Sequence, residues 1–422
     1  MHANYALYWM NTLYISYDGM TDPLGQSQVI PYLIGLSKKG HSISIVSCEK
    51  SERFKKSADF IKQLLEANSI SWHPVPYSEL PSIFSKQLNL IRIQGVSKNI
   101  CSENKIELIH CRSYMAALIG LKLKNKLGIK FIFDMRGFWA DERIDGNIWN
   151  IKNPIQKSLY SFFKKKELEF LNTADYTISL TENAKKEILS WKPFLTKEIP
   201  IEVIPCCADL NLFTQKNIDL KKQEELRSDL KLNKDNFVIS YLGSIGTWYL
   251  LDEMLDFFQC LLEKKVNAKF LFITPDDKNT IISKAVAKGI SKDQLIIHSA
   301  SRNEVPLYLS LSVISIYFIK PLYSKKASSP TKTGEILSLG IPIITNTGIG
   351  DSDKIITDSG AGMLINEFTI EEYNRIISQI DVFLNIDNRT ITDASKKYFS
   401  LEKGIEIYDR IYAKLSSKKI TR

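Results

Sequence analysis

The chain has 422 residues, of which 44% are hydrophobic and 24% charged, an ordinary globular composition long enough for two cores. No apolar run reaches the ~18 residues of a membrane span. The start, MHANYALYWMNTLYISYDG, has neither the basic region nor the cleavage pattern of a signal peptide. Six cysteines form no CxxC, and five scattered histidines form no HExxH. A disulfide scaffold and a zinc hydrolase are therefore disfavoured, and the thiols read as reduced and cytosolic. The net charge of +9 is uneven: residues 1–200 carry 27 Lys/Arg against 19 Asp/Glu, and residues 201–422 carry 29 against 28.

TLYISYDG reads as a strand, and Gln26 to Lys39 as a helix in which Pro31 is out of place. HSISIVSCE is a strand and Phe54 to Glu66 a helix. IELIHC is a strand, SYMAALIGLKLKNKLG a helix closed by Gly128, and KFIFDMRG a strand. Lys157 to Leu171 is helical, and YTISLT and IEVIPCC are strands. Strand–helix alternation of this kind argues for a parallel sheet covered on both faces. From Asp209 to Asn236 the chain turns polar and reads as a connector containing a helix. The alternation then restarts with FVISYLGS, Leu250–Lys265, KFLFIT, a helix near Lys278–Lys288, QLIIHSA, Arg302–Leu311, VISIYF, IPIITN and GMLI. The expected domains are 1–208, a connector at 209–236, 237–392, and closing helices at 393–422 that pack back on the first domain. Two doubly wound halves imply ligands at the carboxyl ends of their strands, in a cleft between them.

In SSPTKTGEILSLGIPII, Ser329 reads as an N-cap and Pro330 as the first residue of a helix that ends near Leu339. Lys332 then lies in the first turn, where the helix dipole repels a cation by roughly 0.3–1 kcal/mol. An anion bound there would accept the free N–H groups of Thr331 and Lys332 and neutralise the lysine. Glu335, one turn on, suits a pair of ribose hydroxyls. The bland alternative is a Lys332–Glu335 surface pair.

Two glycine loops follow strands. YDGMTDPLGQSQ carries Gly19 and Gly25, and YLGSIGTWY carries Gly243, Ser244 and Gly246, with Trp248 and Tyr249 able to stack on a base or sugar. Neither loop is GxGxxG or GxxxxGK[ST], which removes the main support for dinucleotide oxidoreduction and P-loop phosphoryl transfer. FDMRGFWADERIDGNIW interleaves Asp134, Arg136, Asp141, Glu142, Arg143 and Asp145 with Phe138, Trp139 and Trp149. It reads as a functional loop rather than a salt-bridge cluster. Asp351–Asp353 spells DSD, a three-letter metal signature in the wrong setting, and no metal is expected. The dispersed lysines match no nucleic-acid module, so the basic first half suggests an anionic surface instead.

These stretches, with VIPCCADLNLF, resemble the family-four retaining glycosyltransferases of GT-B fold, α/β proteins whose two Rossmann-like domains face each other across a cleft. The likeness is to bacterial members that build surface polysaccharide. The resemblance implies a UDP- or GDP-linked sugar bound mainly by the second half and a glycan or polyprenyl-linked acceptor bound by the first. It implies that no metal is needed, and no cofactor is expected; the basic first half and the lack of a span make a cytoplasmic enzyme, peripheral at the inner face of the cell membrane, the expectation. Gly25 matches the family's phosphate loop, and Glu335 matches the second glutamate of E-x7-E. The first glutamate is replaced by Ala327, and GSIGTWY stands where the family has an Arg/Lys pair. The donor set is then Gly25, Gly243, Ser244, Arg302, Thr331, Lys332 and Glu335. Arg136, Asp141, Glu142 and Arg143 face the acceptor, and Lys332, Arg136 and Asp141 serve turnover. The alternatives are an epimerase of the same fold and a catalytically degenerate assembly subunit.

Overall fold

A computed structural model describes residues 9–78 and 82–416. The chain divides into two compact units. One holds the residues up to Pro205 together with those from Leu401, and the other holds Cys206–Ser400.

The first unit runs β1 (Asn11–Ser16), α1 (Pro23–Gln28), α2 (Ile30–Lys38), β2 (Ser42–Glu49), α3 (Ser51–Glu66), β3 (Ile70–Pro76), α4 (Ser82–Glu103), β4 (Leu108–Arg112), α5 (Ser113–Leu127), β5 (Lys130–Asp134), α6 (Trp139–Asp145), α7 (Pro154–Thr173), β6 (Tyr176–Ser179), α8 (Glu182–Leu189) and β7 (Ile201–Val203). The second runs α9 (Leu220–Asp229), β8 (Phe237–Leu242), α10 (Leu251–Lys264), β9 (Ala268–Ile273), α11 (Lys278–Ala287), β10 (Leu295–His298), α12 (Val305–Leu309), β11 (Ile314–Tyr317), α13 (Thr331–Ser338), β12 (Ile343–Asn346), α14 (Ser352–Ser359), β13 (Gly362–Ile365), α15 (Ile370–Phe383) and α16 (Asn388–Tyr398). The last helix, α17 (Leu401–Leu415), belongs to the first unit.

The sheets are ordered β3-β2-β1-β4-β5-β6-β7 and β10-β9-β8-β11-β12-β13, and their pairings are parallel. In each, the winding reverses beside the first strand, between β1 and β4 and between β8 and β11. Loops leaving those paired strands diverge to opposite faces and open a crevice at the carboxyl ends. Buried runs such as Phe270–Ile273 are apolar because helices cover both faces.

Several sequence expectations change. Pro31 sits at the second position of α2, and the break at Val29 (φ −125°, ψ −65°) divides the expected single helix in two. A proline is tolerated there because the N–H it lacks would have no helical partner. β3 and α4 were not expected; β3 contains Pro74 and Pro76 and lies at a sheet edge, where a missing donor costs no ladder bond. The helix expected at Arg302–Leu311 is only Val305–Leu309. Where closing helices were expected from 393, α16 stays with the second unit and the chain returns at Leu401. On that return Gly35 of α2 lies against Ile405, whose Cδ1 a Cβ on the glycine would meet at 2.2 Å. Tyr412 joins its hydroxyl to His110 Nδ1 at 2.8 Å.

Candidate active site

Lys332 lies at the reversal of the second sheet. Pro330 occupies the cap position of α13, so Thr331 and Lys332 are its first and second residues, one place earlier than the sequence suggested. The Lys332 side chain is not on the surface. The residue is only 8% exposed, and its Nζ lies 3.7 Å from the ring centre of Tyr249, 4.3 Å from Tyr241 and 5.6 Å from Tyr317. Tyr241 comes from β8 and Tyr317 from β11, the two strands that flank the crevice. Gly243, at φ +107°, passes so close that a Cβ there would sit 3.2 Å from Nζ. Nζ has no hydrogen-bond partner among the described residues. The ring faces attract the cation, but they do not replace its water. Burial therefore pushes the Lys332 ammonium down to about 7, against a smaller upward pull from Glu335.

Glu335 does not close a surface pair with Lys332. It is 6% exposed, and its Oε1 accepts from Arg302 Nη1 at 2.9 Å. Glu335 thus pairs with Arg302 while its charge still acts on Lys332, and the Arg302 guanidinium lies 5.2 Å from the Phe213 ring. Ser244 Oγ donates to Asp276 at 2.9 Å, and Ile245 N–H also donates to that carboxylate. The same aspartate that shapes the loop therefore holds Ser244. Trp248 is covered by Lys325, whose Nζ is 3.6 Å from the indole. A groove of about 570 Å³ beside this loop carries Asp252, Glu253, Asp276 and Asp277 against Lys284 and Lys320. That excess of carboxylates makes it the wrong place for a diphosphate. Asp353, of the DSD triplet, accepts from Gly348 N–H at 3.1 Å. Among the described residues no three His, Cys, Asp or Glu side chains converge as metal ligands.

In the first unit, Gly25 lies inside α1, where a Cβ would meet Gly19 O at 2.2 Å. The loop before it already holds an anion of its own: Glu49 accepts from Met20 N–H at 2.7 Å, Thr21 N–H at 3.1 Å and Thr21 Oγ1 at 2.6 Å. Asp141 is buried, and it accepts from Tyr160 Oη at 2.8 Å and Lys164 Nζ at 2.9 Å. Arg143 stacks 4.6 Å above Trp139, and Glu142 is half-buried beside it on α6. The aromatic residues of this segment pack inward, Trp139 meeting Trp149 and Phe163 at 5.4 and 4.7 Å between ring centres.

Arg136 belongs to a cluster that sequence reading did not assemble. Asp134 Oδ1 is 3.8 Å from Arg136 Nη1, while Oδ2 lies 3.8 Å from His110 Nε2, 4.0 Å from Arg112 Nη1 and 3.3 Å from Tyr408 Oη. Burial pushes the Asp134 carboxyl up, and Arg136, His110 and Arg112 together override it and hold it below its ordinary value. Burial also lowers His110 below the usual histidine value. Arg136, two residues past β5, takes φ +57° and Ser113, directly after β4, takes φ +65°, a left-handed backbone that costs of order 1–3 kcal/mol and gathers at functional sites. The available signal was LIHCR, a strand whose polar residues stand among apolar ones.

Two parallel-sheet Rossmann-like units of seven and six strands define a glycosyltransferase architecture of the GT-B type. Sucrose-phosphate synthase from Thermosynechococcus elongatus superposes with a TM-score of 0.72 at 13% identity, covering 96% of this chain and 99% of that one. Anabaena HepE in complex with UDP and glucose gives 0.67 at 12%, covering 95% and 99%. WaaG, a glycosyltransferase involved in lipopolysaccharide biosynthesis, gives 0.64 at 13%, also covering 95% and 99%. Residues 29–212 match the model for Glycosyltransferase Family 4, and residues 222–381 match that for Glycosyl transferases group 1. The chain belongs to the group 1 glycosyltransferases. No curated protein matches it.

Proposed function

We propose that this glycosyltransferase moves a sugar, with retention of configuration, from a UDP- or GDP-linked donor to a glycan or polyprenyl-linked acceptor in surface polysaccharide synthesis. The observation that carries this reading is Lys332, a buried lysine caged by three rings, with no hydrogen-bond partner among the described residues, at the reversal of the second sheet. Such a group is costly in the absence of an anion and useful in its presence. Binding by HepE of UDP and glucose supports the donor class, and the role of WaaG supports a polysaccharide product. An epimerase has weaker support, because both matched family models describe transferases.

In this reading the diphosphate lies against Lys332 and the first N–H groups of α13, while Glu335 and Arg302 hold the ribose side. The bond from the anomeric carbon to the diphosphate oxygen breaks, and negative charge grows on the leaving group. Lys332, fixed in advance, stabilises that charge. The acceptor hydroxyl attacks the same face of the sugar, and its proton passes to the departing phosphate. Arg136 and Asp141 serve the acceptor side. Neither a protein nucleophile nor a metal is required, so activity should survive EDTA; loss that Mn²⁺ restores would assign the charge to a metal instead. The basic first half supports a position at an anionic membrane surface. A screen of nucleotide sugars, read by mass spectrometry of a lipid-linked acceptor, tests the whole reading: no transfer from any UDP or GDP sugar would refute it.

A further inference from the structure

The loop after α6 and the outer face of α7 carry a feature that folding does not explain. Ile148, Ile151, Ile155, Leu159 and Phe162 are 49%, 52%, 72%, 36% and 45% exposed. Among the described residues 19 large hydrophobic side chains are exposed, and these five fall within fifteen positions. Ile155, Leu159 and Phe162 stand at i, i+4 and i+7, one stripe of the helix. α7 has a separate core face in Phe163, Phe170 and Leu171, so the outer stripe lies beside that face, and Phe162 touches it, against Phe163 at 5.2 Å between ring centres. Asn153 fixes the start of the helix, accepting from Ile155 and Gln156 N–H.

The charge around this stripe is of one sign. Gly146 to Lys166 contains five lysines and no carboxylate. Two of them turn to partners in the unit, Lys164 to Asp141 and Glu167, and Lys166 to Glu169. Lys152, Lys157 and Lys165 are exposed and carry no ion pair among the described residues. Protein interfaces are depleted in lysine. An apolar stripe with exposed Lys165 at its edge and Lys152 in the loop before it suits a helix lying in the headgroup layer, where apolar burial and attraction to anionic lipid act together.

We infer that this surface docks on an anionic lipid bilayer, an assignment that rests on the reading above of a membrane-held acceptor. The docking face continues directly from α6, which carries Asp141, Glu142 and Arg143. An acceptor anchored in the same leaflet would thereby be presented to that helix.

Vesicle flotation of the full chain tests this, with phosphatidylcholine alone and with phosphatidylglycerol added. Wild type should float with the anionic vesicles and much less with the neutral ones. The triple variant Ile155→Ser, Leu159→Ser, Phe162→Ser should bind them at least about tenfold more weakly. Lys152→Glu, Lys157→Glu, Lys165→Glu should weaken binding more, since each lysine near an anionic leaflet is worth about fivefold. Unchanged flotation in either triple variant would overturn the assignment, as would a wild type that ignores vesicles. Loss of a dimer in sedimentation without any vesicle binding would show the stripe to be a contact between copies. Titration of each variant with UDP and GDP keeps the two readings apart: retained nucleotide binding with no vesicle binding refutes docking alone, and absent nucleotide binding in wild type refutes the donor site alone.

Discussion

Lys332 gives the residue scale its clearest consequence. In the unfolded chain its ammonium titrates near 10.5, and in the folded apo protein near 7. Between those values the unfolded state holds the extra proton, so stability rises with pH across that window. Below pH 7 both states are charged and the cost of the buried cation is borne in full. Lys332→Met should therefore melt at or above wild type at pH 7, and the gap should close toward pH 10.5; a variant that melts clearly lower would show the lysine to be structural. The rings around it do not titrate in this window, because burial holds the hydroxyls of Tyr241, Tyr249 and Tyr317 above their ordinary value. A diphosphate favours the charged lysine, so donor binding takes up a proton above pH 7. UDP or GDP affinity should fall by up to about tenfold per pH unit there, with a flatter profile in Lys332→Met. In turnover, Lys332→Ala should lower kcat by about 10²–10³. Glu335→Ala should mainly raise KM, since a ribose contact acts equally before and during bond breaking; equal kcat losses in the two variants would undo the division of roles.

At the scale of elements, α13 depends on what lies behind it. Gly334 faces Phe399 and Ala208, and a Cβ there would meet Phe399 Cβ at 2.6 Å and Ala208 Cβ at 3.1 Å. Overpacking of this kind costs about 1–3 kcal/mol. Gly334→Ala should lower the melting temperature and, by shifting the helix, also weaken nucleotide binding; a variant with both intact would show that the contact yields freely. This element also marks how much the sequence disclosed. The discord between Lys332 and its helix start could be read from adjacent residues, as could most strands, because propensity and capping are local. The tyrosine cage could not. Tyr241, Tyr249 and Tyr317 come from β8, a loop and β11, and only the strand order brings them together. Glu49 was hidden for the same reason, since it reaches the Gly19–Thr21 loop from β2. β3 was masked by its prolines, and the division of α1 from α2 by an apolar pattern that runs through the break.

For the whole molecule, the division of the chain is unequal. Cys206–Ser400 is continuous, whereas the first unit is built from two separated pieces. Residues 206–400 expressed alone should melt cooperatively and keep measurable affinity for UDP or GDP. Residues 1–205 alone lack α17, hence Tyr408 beside Asp134, Tyr412 on His110 and Asp409 on His41. That fragment should fail to melt cooperatively, and cooperative melting of it would show α17 to be dispensable. Acid should strain this junction first. Burial lowers His41 and His110, so the unfolded state binds more protons below about pH 6.5 and stability falls there. Amide exchange in β1, β4 and α17 should accelerate at pH 5 relative to pH 7; exchange that rises elsewhere first would contradict this.

The return of α17 bears on how the protein is made. Translation delivers the amino-terminal unit first, yet its last helix leaves the ribosome only after all of the second unit. For the interval in which about two hundred residues are added, at roughly 5–20 residues per second, the nascent chain exposes the face of α2 at Gly35 and the pocket around His110 without their cover. The second unit can finish ahead of the first, the reverse of their order in the message. A chain that stops before Leu401 would therefore carry the whole of the second unit while its earliest-made unit still lacks α17.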